Sequence, residues 1–221
     1  MLSLIIFIPL IAALALLMVS RESVAAIKTV GVGAAAASFA LSLWLLFSFD
    51  TANPGMQFVQ TFHWVPALHI NYLVGVDGIS LWMVVLTAFL GLLAVMLSFS
   101  QKEGLRNFVA LILALEAGTL GVFLALDTIL FYVFWELMLV PTYFLIGIWG
   151  EGRRVYATMK FVIYTLVGSL LMLVAIVSLT MVHYGATHDV TFDLRVLTLT
   201  HIDPSMQIWM FLCFFLAFAI K

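Results

Sequence analysis

Glu116, Glu136 and Lys221 stand in stretches otherwise built almost wholly from Ala, Leu, Ile, Val, Phe and Gly. A charge at the centre of a hydrocarbon layer costs roughly 2.5–3.5 kcal/mol even on lenient scales, so such side chains face partners rather than lipid. Helical rise puts Glu116 near the middle of the apolar span 105–126. Glu136 lies nine residues past the polar pair Asp127-Thr128, at a similar depth. Lys221 lies 17 residues beyond Pro204, at or slightly past mid-depth for a helix starting at that proline. Two acids and one base at matching depth predict a buried polar axis across helices. Opposite charges about 4 Å apart, in an effective dielectric of about 20, attract by about 4 kcal/mol. Making or breaking a Glu–Lys contact would therefore switch the lysine between holding and releasing a proton. The competing readings are structural. Glu116 and Glu136 would be helix–helix hydrogen-bonding groups, and Lys221 would snorkel to an interface.

The helices that must carry these residues are announced by composition. Of 221 residues, 65% are hydrophobic and only 9% charged, and the mean hydropathy is +1.23. A soluble domain is about 45–50% apolar and about 25% charged, so this chain is a polytopic membrane protein. The formal net charge of -2 comes with no basic run, which speaks against nucleic acid as a partner. Cys213 is the single cysteine and no CxxC, metal cluster or Gly-rich phosphate loop occurs, so neither metal nor cofactor is expected in this chain. His63, His69, His183, His188 and His201 all fall in polar connections, which argues against haem ligation.

Seven apolar segments follow one another. They run at about 2–19, 24–49, 79–99, 105–126, 128–150, 155–182 and from Pro204 onward. The long run 105–150 exceeds a hydrocarbon core of about 30 Å and must be two spans, divided where Asp127 caps the second. Pro141 predicts a kink in that span, and Ala- and Gly-rich 31–37 predicts close helix approach. The connection 50–78, broken by Pro54, Gly55 and Pro66, predicts a short β-hairpin, with Asp77 as the next N-cap. Arg21, Lys28, Lys102, Arg106, Arg153, Arg154 and Lys160 lie at one side and Arg195 at the other. That bias places the N-terminus and the 50–78 loop outside.

Val122-Phe123-Leu124-Ala125-Leu126-Asp127 and Phe134-Trp135-Glu136-Leu137-Met138-Leu139-Val140-Pro141 closely resemble the antiporter-like proton-pumping subunits of respiratory complex I, most of all the chain M (subunit-4) type. Val76-Asp77-Gly78-Ile79-Ser80-Leu81, Tyr143–Gly150, Ala157-Thr158-Met159-Lys160-Phe161 and Phe218-Ala219-Ile220-Lys221 extend the resemblance from about Trp64 onward.

The resemblance implies an all-α membrane protein with the helices of 1–103 preceding the start of a proton-translocating unit at 104–221. It implies that Glu136 and Lys221 are the proton-translocation pair, with Lys160, Asp127 and Glu116 as further path residues. FMN, iron–sulfur clusters and the quinone would belong to partner subunits, among them related antiporter-like chains, in a bacterial inner membrane. Family members carry roughly twice as many spans, in inverted repeats, so this sequence corresponds to an N-terminal half. Two alternatives stand beside that expectation. One is a subunit of a multisubunit sodium/proton antiporter or membrane-bound hydrogenase; the other is a non-pumping structural or assembly element.

Overall fold

The computed structural model describes all residues from 1 to 221. In hydrocarbon every backbone N–H must find its carbonyl within its own segment, so uninterrupted apolar runs become helices. In chain order the elements are α1 (Leu2–Met18), α2 (Val24–Ser48), β1 (Gln57–Val65), β2 (Ile70–Val76), α3 (Gly78–Leu97) and α4 (Leu105–Leu124). There follow α5 (Thr128–Leu137), α6 (Leu139–Trp149), α7 (Arg154–Thr187), α8 (Leu194–Leu197) and α9 (Pro204–Ile220). Five stretches are long and apolar enough to cross a membrane: α2, α3, α4, the joined α5–α6, and α7. The apolar helices α1 and α9 have 17 residues each, about 25 Å of rise. The chain is a multi-pass membrane protein.

The hairpin expected in the long connection is present. β1 and β2 pair antiparallel, with Thr61 opposite Leu73 and Phe62 opposite Tyr72. Its turn closes at His69, whose φ of 56° lies in the left-handed region. Asp77 then starts α3 with a reciprocal cap. Its carboxylate accepts from Ile79 N (3.1 Å) and Ser80 N (2.7 Å), while Ser80 Oγ accepts from Asp77 N at 2.9 Å. At α9, Asp203 accepts from Ser205 N (3.0 Å) and Pro204 takes the first helical position.

Two boundaries differ from the sequence expectation. The kink assigned to Pro141 falls three residues earlier, where Met138 separates α5 from α6. Proline has no N–H to return to the carbonyl of Leu137, four residues back, so the ladder fails ahead of the ring rather than at it. The helix expected to end near Val182 runs on to Thr187. His183 is buried there and shares a hydrogen bond of 2.7 Å with Thr200 Oγ1, which removes the reason to end the helix.

α1, α2, α3 and α4 pack as one group. Its core at the hairpin end includes Leu2, Ile5, Leu45, Val74, Leu81, Leu120 and Phe134. At the opposite, basic end it is built from Leu16, Ile27, Ala35, Val95, Val109 and Leu113. A Cβ on Gly31 would stand 2.8 Å from Val109, so the small residues of α2 do admit close approach. On the other flank α7 packs against α9 through Met172, Ile176 and Ala217.

Candidate functional site

Asp127 fixes where α5 begins. It is 1% exposed, and one carboxylate oxygen accepts from Ile129 N and Leu130 N, both at 3.0 Å. The other accepts from Asn71 N of β2 at 3.0 Å. Burial pushes this carboxyl above the usual carboxylate range, against the opposing pull of its three N–H donors, and the charge of Asp193 adds to the rise. The flanking backbone is stitched on both sides. Leu126 N donates to Leu73 O at 2.9 Å, Leu194 N to Leu126 O at 2.8 Å and Thr128 N to Phe192 O at 2.8 Å. Hairpin, α5 and the segment before α8 therefore move as one piece at this end.

From that anchor α5 carries Trp135 and Glu136 to the break at Met138. The Met138 N–H turns back to Glu136 O and Phe134 O, and Pro141 returns nothing to Leu137. Backbone carbonyls around the break are released from the regular ladder. One of them is taken by Lys221, whose Nζ donates to Trp135 O at 3.2 Å and sits 4.8 Å from the Trp135 ring centroid. Trp135 is itself held by Phe131 (5.7 Å, stacked) and by Phe218 of α9 (5.4 Å, edge-on). Glu136 is half-buried, and its carboxylate makes no ion pair; the one ion pair in the chain joins Arg195 to Asp193 at 2.6 Å. Lys221 thus rests one residue away from the acid, on a neutral carbonyl and an aromatic face.

The other sequence-predicted residues lie apart from that pair. Glu116 is 4% exposed, and both its oxygens are buried without a hydrogen-bond partner. Its carboxyl group occupies the space above Gly91 of α3: a Cβ there would stand 2.6 and 2.8 Å from the two oxygens. The α4 face toward α5 carries Gly118 and Gly121, under Met138 and Phe134. Glu116 therefore faces α3, on a different side of α4 from the Glu136 region, and the single polar axis expected from depth is not formed. Depth follows from residue count, but facing follows from helix rotation. Lys160 is exposed on α7, 5.9 Å from the Tyr156 ring centroid. It shares an apolar groove of about 480 Å³ with Ile163, Val167 and Ile220, the residue before Lys221.

Three participants were not anticipated from the sequence: the Trp135 carbonyl and ring, the Asn71 N–H, and Gly91. Only Gly91 left a signal, since a glycine inside an apolar helix costs about 1 kcal/mol relative to alanine and calls for a packing reason.

A family model described as NADH:quinone oxidoreductase/Mrp antiporter, TM, matches residues 125–221. Over its full length the chain is 43% identical to NADH-quinone oxidoreductase subunit M of Rhodobacter capsulatus, covering 45% of that protein. It is 39% identical to F(420)H(2) dehydrogenase subunit M of Methanosarcina mazei over 88% of this chain and 39% of that one. Among solved structures, a chain of respiratory complex I from Thermus thermophilus with bound NADH superposes with a TM-score of 0.83 at 30% identity. That match covers 99% of this chain and 43% of the other. A chain of the Mrp complex from Dietzia sp. gives 0.79 at 22% identity, over 99% of this chain and 23% of that one, a likeness of fold. The chain spans less than half the length of each of these relatives.

Proposed function

This chain belongs to the NADH:quinone oxidoreductase/Mrp antiporter transmembrane family, and on that premise we propose that it carries part of the proton path of an NADH–quinone oxidoreductase membrane subunit. The observation that supports this is Lys221, exposed at the end of α9, held on the Trp135 carbonyl at the α5 break, one residue from Glu136. In this arrangement the ammonium has two alternative acceptors. On the Trp135 carbonyl it leaves Glu136 free. Released from that carbonyl, it would pair with the Glu136 carboxylate instead. Exchange between a neutral and an anionic partner in a poorly solvated site changes which group holds the proton, and that exchange is the elementary step of transport. Lys160, in the groove that also contains Ile220, is the next residue along the path toward the basic end. Asp127 is the positioning residue at the hairpin end, and Glu116 a separate buried acid between α3 and α4.

NADH oxidation and quinone reduction, with their FMN and iron–sulfur clusters, would reside in partner subunits, related antiporter-like chains would be neighbours in the membrane, and the setting is the bacterial inner membrane. We read 1–103 as supporting helices and 104–221 as the start of the translocating unit. The sodium/proton antiporter reading has the fold likeness to the Mrp chain behind it, yet identity there is 22% against 43% for subunit M. The test uses the full-length subunit in its complex. Glu136→Gln should leave assembly and NADH oxidation measurable while proton pumping falls at least tenfold, and Lys221→Ala should do the same. Undiminished pumping from either assembled variant would overturn the proposal.

A further inference from the structure

A cavity of about 460 Å³ opens at the basic end, where α2 starts, α3 ends and α4 starts. Arg21, Lys28, Lys102 and Arg106 all line it, so four of the nine basic residues of the chain face one space. None is ion-paired. The acids closest in sequence, Glu22 and Glu103, are exposed and do not line the cavity. Two of the cations are anchored. Lys28 is half-buried with Nζ 4.9 Å from the Phe99 ring centroid. Arg106 donates through Nη1 to Leu17 O (3.2 Å) and Val19 O (3.0 Å) and through Nε to Asn107 Oδ1 (3.1 Å). Arg21 and Lys102 are exposed on the rim, free to close over an occupant.

Like charges gathered around one space repel one another, and an anion touching several of them relieves the repulsion with charge-assisted hydrogen bonds. We propose that this cavity binds the phosphodiester headgroup of an anionic phospholipid of the inner leaflet. The basic end of a multi-pass protein lies on the cytoplasmic side, where anionic headgroups concentrate. The cavity is amphipathic in the way such a ligand requires. Val24, Phe99 and Leu105 contribute apolar wall beside the cations. From the same end Leu97, Met96, Leu93 and Phe89 of α3 form an exposed apolar ridge reaching toward mid-membrane. A free phosphate would engage the cations and leave that ridge unused; an acyl chain covers it. The site is independent of Glu136 and Lys221, so it stands or falls apart from the proton path.

The test is photocrosslinking in nanodiscs holding the assembled complex, with a photoactivatable phosphatidylglycerol and adducts mapped by mass spectrometry. Adducts are expected on residues 21–28 and 99–107. Unlabelled phosphatidylglycerol should compete them away, and phosphatidylcholine should not. The Arg21→Gln/Lys102→Gln double variant, altered only at exposed rim positions, should lower the adduct yield at these peptides roughly thirty-fold, the loss expected from two surface cations. Arg153→Gln, at the same end outside the cavity, should leave it unchanged. Equal labelling in the double variant would overturn the proposal. So would displacement by millimolar inorganic phosphate, which would identify a free-anion site. Labelling seen only after the complex is dissociated would also overturn it, because an acidic segment of a neighbouring subunit would then be the occupant.

Discussion

Glu116 shows how much a single residue of this fold depends on its neighbour across a helix interface. A carboxyl group with two unpartnered buried oxygens is costly wherever it sits, and it fits only because Gly91 has no side chain. Gly91→Ala puts a methyl group within 2.6 Å of that carboxyl, and overpacking of this kind costs about 1–3 kcal/mol. The thermal unfolding midpoint of the purified complex should drop on Gly91→Ala. Glu116→Leu removes the unsatisfied oxygens while keeping the volume, so the midpoint should hold or rise. A fall with Glu116→Leu as large as with Gly91→Ala would mean that the acid has a stabilising partner.

At the scale of elements, the break between α5 and α6 and the cap of α3 each make a separate expectation. Pro141→Ala restores an N–H for the Leu137 carbonyl and lets the ladder re-form through Met138, so Leu139 N competes with Lys221 for Trp135 O. In infrared difference spectra of protein carrying carbonyl-13C tryptophan, Lys221→Met should shift a carbonyl band in the parent. The same substitution should shift nothing in the Pro141→Ala background; an equal shift in both would disprove competition for that oxygen. For α3, burial acts to raise the Asp77 carboxyl, but the Ser80 and Ile79 hydrogen bonds outweigh it and hold the group below the usual carboxylate range. A lowered folded value means the cap contributes fully above the unfolded carboxylate range and is lost as pH falls through the folded value. Amide exchange at Ile79 and Ser80 should therefore accelerate in that acid window relative to mid-helix amides, and Asp77→Ala should abolish the pH dependence.

For the whole molecule the distribution of cations makes the topology testable. Six basic residues at the turns of one end, Arg21, Lys28, Lys102, Arg106, Arg153 and Arg154, oppose Arg195 at the other, and the helix order puts the hairpin at the Arg195 end. A membrane-impermeant thiol reagent should label Gly55→Cys in intact cells and leave Glu103→Cys unlabelled until the membrane is opened. The reverse pattern would invert the molecule, and with it the leaflet assigned to the basic cavity. The hairpin end is held together by the backbone stitching around Asp127, which ties the first helical group to α5 and to the segment before α8.

Composition and spacing alone determined the membrane class, the apolar runs, the hairpin and the helix starts at Asp77, Asp127 and Pro204, because hydropathy and N-capping act over a few residues. Charges standing inside apolar runs also singled out Glu136 and Lys221 as candidates for the chemistry. Tertiary structure decided what those residues touch. The rotation of α4 turned Glu116 toward Gly91 instead of toward α5. The N–H missing at Pro141 moved the break to Met138, where Lys221 found the Trp135 carbonyl. Four cations scattered between Arg21 and Arg106 converged on one cavity only when α2, α3 and α4 were packed together. Contacts between helices distant in sequence depend on rotation and axial offset, and those are set by side-chain packing across the whole bundle rather than by any local pattern.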